Sequence, residues 1–300
     1  MQKMNKNEIQ IGAHQLSWST TIEQTDIHPI AEKISSLGCG AFELFLNGFG
    51  DDFPAATLRT AASDNKLSII GCAVFGSGDK ADPLSKSAAQ RQKAENMMIQ
   101  WIDILHALNS KLLVGPLFNV LRKKGAKEPT EHNFKAGITT FTSIAKHAAQ
   151  KKIKIAIEPL QWVEMPWPNN VQQILDFIER FEKGLDAPFK TLGVTFDVYH
   201  ALRMEENWRT ALKHVLEAGR LYHVHVAGPN RTPPRRNQHI SWKSLISTLK
   251  EFGWKGFITI ESFGDQCDLP FEVIGPGNRP PAEEVISTGV KTLRWAGIEK

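Results

Sequence analysis

Residues 153–158 read IKIAIE, a short β-branched apolar run broken by one lysine and closed by a glutamate. A run of this length that is apolar on both faces fits a parallel strand covered by helices. The same form recurs at about 11–17, 41–46, 68–74 and 111–115 before it, and at about 191–196, 221–226 and 256–261 after it. Helical patterns lie between these runs. Val171, Ile174, Leu175, Ile178 and Phe181 keep a three-to-four spacing that puts them on one helix face. Leu245, Ile246, Leu249 and Phe252 do the same, with Gly253 as the C′ residue. Ile138, Phe141, Ala145 and Ala148 mark another such face, and further helices fit at about 28–37, 54–65, 84–109, 207–219 and 281–296. Eight strands alternating with eight helices imply a parallel sheet, and eight such units close a barrel. The expected fold is therefore α/β, a single-domain (β/α)8 barrel over residues 1–300. An open doubly wound sheet would need a glycine-rich phosphate turn after the first strand, and HQLSWST at 14–20 is not one. The stretch GPNRTPPRRNQHI at 228–240 follows a strand directly, so it reads as a long loop on the active face and not as a linker.

Bulk composition suits this reading. Of 300 residues, 41% are hydrophobic and 23% charged, as in a soluble globular protein with a sizeable core. The net charge of +4 is mild and no long basic block occurs, which gives little support to nucleic-acid or membrane binding. Cys39, Cys72 and Cys267 are sparse and unpaired in spacing, which fits a reducing compartment better than a disulfide framework. The first residues, MQKMNKNEIQIGAHQ, contain no apolar h-region, and no run of 18 apolar residues is present. The expectation is a cytoplasmic protein.

In such barrels the chemistry sits at the C-terminal ends of the strands. The fifth strand ends in Glu158, the sixth in Asp197, the seventh carries His223 and His225, and the eighth ends in Glu261. A carboxylate at the end of an apolar strand is costly to bury unless its charge is cancelled, and four consecutive strand ends share that need. Three carboxylates and one imidazole suit a single divalent ion (Mn2+, Mg2+, Co2+ or Zn2+) with positions left for water or substrate. For the two histidines the expectation is one ring at the barrel axis and the other packed under a helix as a hydrogen-bonded core residue. The residues alone leave open which is which. Trp18, Phe75, Trp162, Trp167 and Phe263 are candidates to line a sugar pocket, with core packing an equal alternative. His14 and Glu43 are assigned hydrogen-bonded core roles, and Cys72 the role of a small buried hydrophobe.

These segments resemble the xylose-isomerase-like TIM-barrel sugar isomerases and epimerases, and most closely the ketose (tagatose and psicose) 3-epimerases. EPLQWVE gives Glu158 and, six residues on, Glu164; DVYH gives Asp197 and His200; HVHVAGPNR gives His223, His225 and Arg231; TIES gives Glu261. FGSGDKADP and VGPLF resemble the family's loop after strand three and its strand-four end. The loop TPPRRNQHISW lacks the glycine-rich pattern common before the tryptophan equivalent to Trp242, and DQCDLPFEVIGPGNRP before the last helix is a longer insertion. The resemblance implies a metal held by Glu158, Asp197, His225 and Glu261. It implies proton transfer by Glu158 and Glu261 from opposite faces of the substrate carbon, and substrate binding by Glu164, His200 and Arg231. The expected partner is a small sugar. Relatives are often homodimers or homotetramers, and nothing in the sequence locates an interface.

Three rival readings share the scaffold. A dehydratase of the inosose or dehydroshikimate type would use the same ligand set; Glu164 and Arg231 favour epimerase or isomerase. An endonuclease of the endonuclease IV type needs three zinc ions, yet the loop after strand seven offers His239 and no aspartate, and the loops after Leu46 and Val74 hold no histidine. A non-catalytic sugar-binding barrel is disfavoured by the presence of both proton-transfer glutamates.

Overall fold

The structure, a computed structural model, describes residues 8–49, 52–76, 78–121, 128–183, 185, 190–269, 273 and 279–299. Eight strands follow one another around a closed barrel in sequence order. They are β1 (Ile9–His14), β2 (Ala41–Phe45), β3 (Ser68–Cys72), β4 (Leu112–Gly115), β5 (Lys154–Ile157), β6 (Leu192–Asp197), β7 (Leu221–Val226) and β8 (Gly256–Ile260). Among the described residues, the α-helices that flank the strands are α1 (Ile27–Ser36), α2 (Ala55–Asp64), α3 (Ala88–Ala107), α4 (Glu131–Lys151), α5 (Val171–Lys183), α6 (Val198–Met204), α7 (Trp208–Glu217), α8 (Trp242–Glu251) and α9 (Ala282–Ala296). The expected (β/α)8 barrel is the fold. None of the helices among the described residues is long and apolar enough to cross a membrane.

Three details differ from the sequence reading. The first strand stops at His14, because the His14 ring nitrogen Nδ1 accepts the Leu16 N–H at 3.0 Å and starts a 3-10 turn over Gln15–Ser17. An unexpected short helix, α6, begins directly after Asp197. The long third helix starts at Ala88 and not near 84, and part of the insertion at 265–280 lies outside the described residues.

Contacts group the chain into two compact units, Met1–Ile69 with His223–Lys300, and Ile70–Tyr222. In the first, β1 pairs in parallel with β2 and with β8, in the register Ile9↔Gly256 to Ala13↔Ile260, and β7 pairs with β8. α8 stops as expected: Gly253 is left-handed at φ 63° and its N–H returns to the Lys250 carbonyl at 2.9 Å. In the second, β4 pairs with β3 and β5, and β5 with β6. The α5 stripe packs inward through Val171, Ile174, Phe177, Ile178 and Phe181. Phe177 meets Phe118 edge-on at 4.2 Å between ring centroids, and Phe118 stacks on Phe141 of α4 at 4.8 Å. These rings fasten the loop after β4 to its covering helices, with edge-to-face geometry favoured by the aromatic quadrupole.

The end of β4 also holds the end of β5. The Gly115 carbonyl accepts the Glu158 N–H at 2.9 Å, so the ladder continues one residue past β5 and fixes the glutamate's backbone. Gly115 has φ 124°, and a Cβ there would lie 2.4 Å from the Ala73 carbonyl oxygen. Gly115→Ala is therefore expected to cost about 1–3 kcal/mol through overpacking and backbone strain. A thermal melt followed by circular dichroism measures it, and an unchanged midpoint would contradict this account. All three cysteines are buried. Burial pushes the Cys39 thiol up to about 12 and the Cys267 thiol up to about 11. At pH 8 both stay protonated, and the thiolate is the reactive form. Ellman's reagent should modify Cys39 and Cys267 slowly in the folded protein and rapidly after denaturation.

Candidate active site

In the unit formed by the two ends of the chain, β1 and β2 place His14 opposite Glu43. Both are fully buried. Glu43 sits in the middle of an apolar strand, where an ionised carboxylate survives only with hydrogen-bonding partners. It has them: the His223 ring nitrogen Nε2 lies 2.8 Å from Glu43 Oε2, and that of His225 lies 2.7 Å from Oε1. His14 Nε2 stands 3.4 Å from Oε1. Burial pushes the Glu43 carboxyl up, but the charges and hydrogen bonds of the His225 and His223 imidazoles outweigh it and hold the group well below the usual carboxylate range. This corrects the expectation that one of His223 and His225 faces a helix. The strand pleat repeats every two residues, so positions 223 and 225 share a face and both rings reach the same carboxylate. The core roles read for His14 and Glu43 agree with their burial and partners.

Glu261 follows β8, and its N–H donates to the Val226 carbonyl at 3.0 Å, which extends the β7–β8 ladder. Its Oε2 accepts from Arg231 Nη1 at 2.9 Å and lies 3.6 Å from His225 Nδ1. Arg231 is buried and not a solvated loop arginine. It and Asn230 are consecutive left-handed residues, at φ 58° and 54°. Such backbone costs about 1–2 kcal/mol per non-glycine residue, and it persists where the surroundings over-determine it. Here the Arg231 carbonyl accepts Arg279 Nη1 at 3.0 Å and the Phe263 N–H at 3.3 Å, and the guanidinium lies 5.2 Å from the Phe263 ring centroid.

In the other unit, Glu158, Asp197 and His200 are all buried, and each offers a ligand atom within 4.8 Å of the others'. Asp197 Oδ1 accepts the Tyr199 N–H at 2.7 Å and so caps α6. The Asp-x-x-His spacing thereby acquires a structural cause. His200 sits on the first turn of the capped helix, and its Nε2 faces Asp197 Oδ2 at 3.5 Å. His200 Nδ1 accepts the Gln161 N–H at 3.1 Å, so the proton resides on Nε2. Gln161 Nε2 also donates to Glu164 Oε1 at 2.6 Å, which ties the buried Glu164 to the same loop. Asn169 Nδ2 braces that loop by donating to the carbonyls of Leu160 at 2.7 Å and Met165 at 2.8 Å. Among the candidate pocket aromatics, Phe75, Trp167 and Phe263 are buried, whereas Trp162 is 70% exposed.

The structure thus brings together Glu158, Asp197 and His200 in one unit, and His225, Arg231 and Glu261 in the other. Sequence reading missed Gln161 and Arg279. Neither stands at a strand end: Arg279 donates from its guanidinium to a backbone carbonyl, and Gln161 donates from its side-chain amide and its N–H to other side chains.

Residues 31–294 match the family described as xylose isomerase-like TIM barrel. The chain belongs to that family. Among curated proteins, this member of the xylose isomerase-like family is similar to the L-ribulose 3-epimerase of Methylomonas sp. (strain DH-1), at 24% identity with 87% of each chain covered. Among solved structures it resembles the D-allulose 3-epimerase from Methylomonas sp. in complex with D-allulose, with TM-score 0.84, 18% identity, and 97% and 98% of the two chains covered. It also resembles the D-psicose 3-epimerase with D-tagatose from Clostridium cellulolyticum H10, with TM-score 0.82, 18% identity, and 96% and 99% covered.

The two oxygens of Asp197 give a way to separate folding from ligation. Asp197→Ala removes the cap and should destabilise the metal-free protein by about 1–2 kcal/mol, whereas Asp197→Asn keeps an acceptor for the Tyr199 N–H and should lose less. Urea denaturation in a chelator checks this, and equal losses for both variants would show that the cap contributes nothing.

Proposed function

We propose that the protein is a divalent-metal-dependent sugar epimerase or isomerase that moves a proton at the carbon next to a ketose carbonyl. The observation that carries this reading is a pair of buried glutamates following β5 and β8. One is grouped with Asp197 and His200, the other with His225 and Arg231. In a closed parallel barrel, the C-terminal ends of β5, β6, β7 and β8 are consecutive on one rim. The resemblance of these strand-ending segments to the family supports the reading that Glu158, Asp197, His225 and Glu261 hold one cation. Carboxylate oxygens and an imidazole nitrogen are donors that suit Mn2+, Mg2+, Co2+ or Zn2+. When bound, such an ion polarises the substrate carbonyl and stabilises negative charge on the neighbouring oxygens.

The chain's own residues supply the rest. Epimerisation needs one group to remove a proton and a second to return one to the opposite face; Glu158 and Glu261 take these two roles. Arg231 orients Glu261 through its 2.9 Å hydrogen bond. His200 presents its Nε2–H as a donor to a substrate hydroxyl or carbonyl oxygen. Glu164, oriented by Gln161, accepts from a hydroxyl at the O1 end. The names of the relatives above support a ketose as substrate. The buried free thiols agree with a cytoplasmic setting.

Incubating the protein with Mn2+ and a panel of ketohexoses, with an inosose in parallel, followed by chromatography, tests the reading. C3-epimerised ketose is the expected product, and loss of water from the inosose without ketose turnover would replace it with the dehydratase. Glu261→Gln should abolish turnover, by at least about 100-fold for loss of a positioned acid–base group, while circular dichroism stays native. Retained activity in that variant removes the proton-transfer role.

A further inference from the structure

We propose that Glu205 is a positioning residue that holds the loop after β5, and with it Glu164 and His200, in the arrangement that binds sugar. The inference deepens the function proposed above and rests on it for the nature of the ligand. Every residue involved lies in the unit Ile70–Tyr222. The first N–H groups of a helix have no partner within it. At the start of α5, Asn170 Oδ1 accepts the Gln173 N–H at 2.9 Å, and Glu205 Oε1 accepts the Val171 N–H at 2.7 Å. Asn170 belongs to the loop itself. Glu205 reaches in from the residue that closes α6, where its own N–H donates to the Ala201 carbonyl at 3.0 Å. A carboxylate suits this place, because a helix N-terminus carries partial positive charge. Glu205 is half-buried; burial pushes its carboxyl up, and the Val171 N–H and the His214 imidazole partly offset that.

The Glu205 bond closes a ring of contacts. The Asn169 N–H donates to Gln173 Oε1 at 2.6 Å, and its side-chain amide holds the Leu160 and Met165 carbonyls. Gln161, next to Leu160, donates its N–H to His200 Nδ1 and its side-chain amide to Glu164 Oε1. His200 lies on α6, the helix that Glu205 terminates. Contacts from α6 and its cap thus hold the loop at both ends, at Gln161 through His200 and at Val171 through Glu205. Glu158 takes its backbone position from the Gly115 carbonyl of the sheet instead. Loss of the Glu205 contact should therefore loosen sugar binding more than proton transfer.

Amide hydrogen exchange of the metal-free, sugar-free protein, with ketose kinetics in Mn2+ beside it, provides the test. In Glu205→Ala the Val171 and Gln161 N–H groups should exchange roughly 5- to 10-fold faster, the size of effect of one lost cap. Glu205→Gln keeps an acceptor and should restore most of the protection. Glu206→Gln, at the exposed neighbouring position, controls for charge and should exchange as wild type. KM for the ketose should rise by a similar factor in Glu205→Ala while kcat stays within about twofold. If Glu205→Ala does not fold, Glu205→Asp, one methylene shorter, gives the same two readouts. Faster exchange at Val171 alone, with Gln161 as in wild type, reduces Glu205 to a helix cap and overturns the proposal. An unchanged KM, or a fall in kcat at unchanged KM, overturns it too. A wild type that turns over no ketose removes the proposed function, and the sugar-binding role falls with it, whereas the exchange rates still decide whether Glu205 holds the loop.

Discussion

An ionised carboxylate inside a barrel of apolar strands is tolerated only if protons or cations meet it on several sides. That electrostatic demand organises the interior. Glu43 is answered by imidazoles from β1 and β7, and Glu261 by a guanidinium and an imidazole. Asp197 is answered by a backbone N–H and a histidine. Glu43 and Glu261 are answered from other strands or the loops that follow them, so the ladder registers that set strand position also set the chemistry. The Gly115 carbonyl that holds the Glu158 backbone is the clearest case: a hydrogen bond of the sheet is also a positioning contact of the site.

Much of this could be read directly from the sequence, and for identifiable reasons. The eight apolar runs and the 3.6-residue stripes between them specify an alternating fold because burial on both faces of a parallel sheet leaves no other composition. Strand-ending Glu158, Asp197 and Glu261 stand out because an acidic residue closing a largely apolar run rarely occurs by chance. What escaped the reading depends on three-dimensional closure. Glu43 looks like one polar residue in AFELF, and its histidines are 29 residues before it and 180 and 182 residues after it. The face shared by His223 and His225 follows from the strand period and was within reach of the sequence. Helix α6 was hidden because seven residues carry too little periodicity, although an aspartate before VYH is an N-cap signal.

Loops contribute differently from strands. The strand-end groups are fixed by ladders, while Arg231 owes its place to a kinked turn with two left-handed residues and to Arg279, which reaches it from the segment between β8 and α9. The loop after β5 is self-bracing through Asn169 and passes its order to Glu164 and His200 through the single residue Gln161. Arg231 and Glu164, proposed to bind substrate, therefore depend on loop composition, and Glu158 and Glu261, proposed to transfer protons, depend on the sheet.

Asp197 carries one further implication. One of its oxygens starts a helix and the other faces His200, so a single side chain serves as both hinge and anchor. Lengthening it by one methylene would push the opening turn of that helix, with Tyr199 and His200 on it, away from β6. The cap geometry thus ties this position to one side-chain length, whereas a glutamate at the end of a strand has a longer rotatable stem that can absorb small shifts of its neighbours. Residue 197 is thus the fixed point from which Tyr199 and His200 are placed.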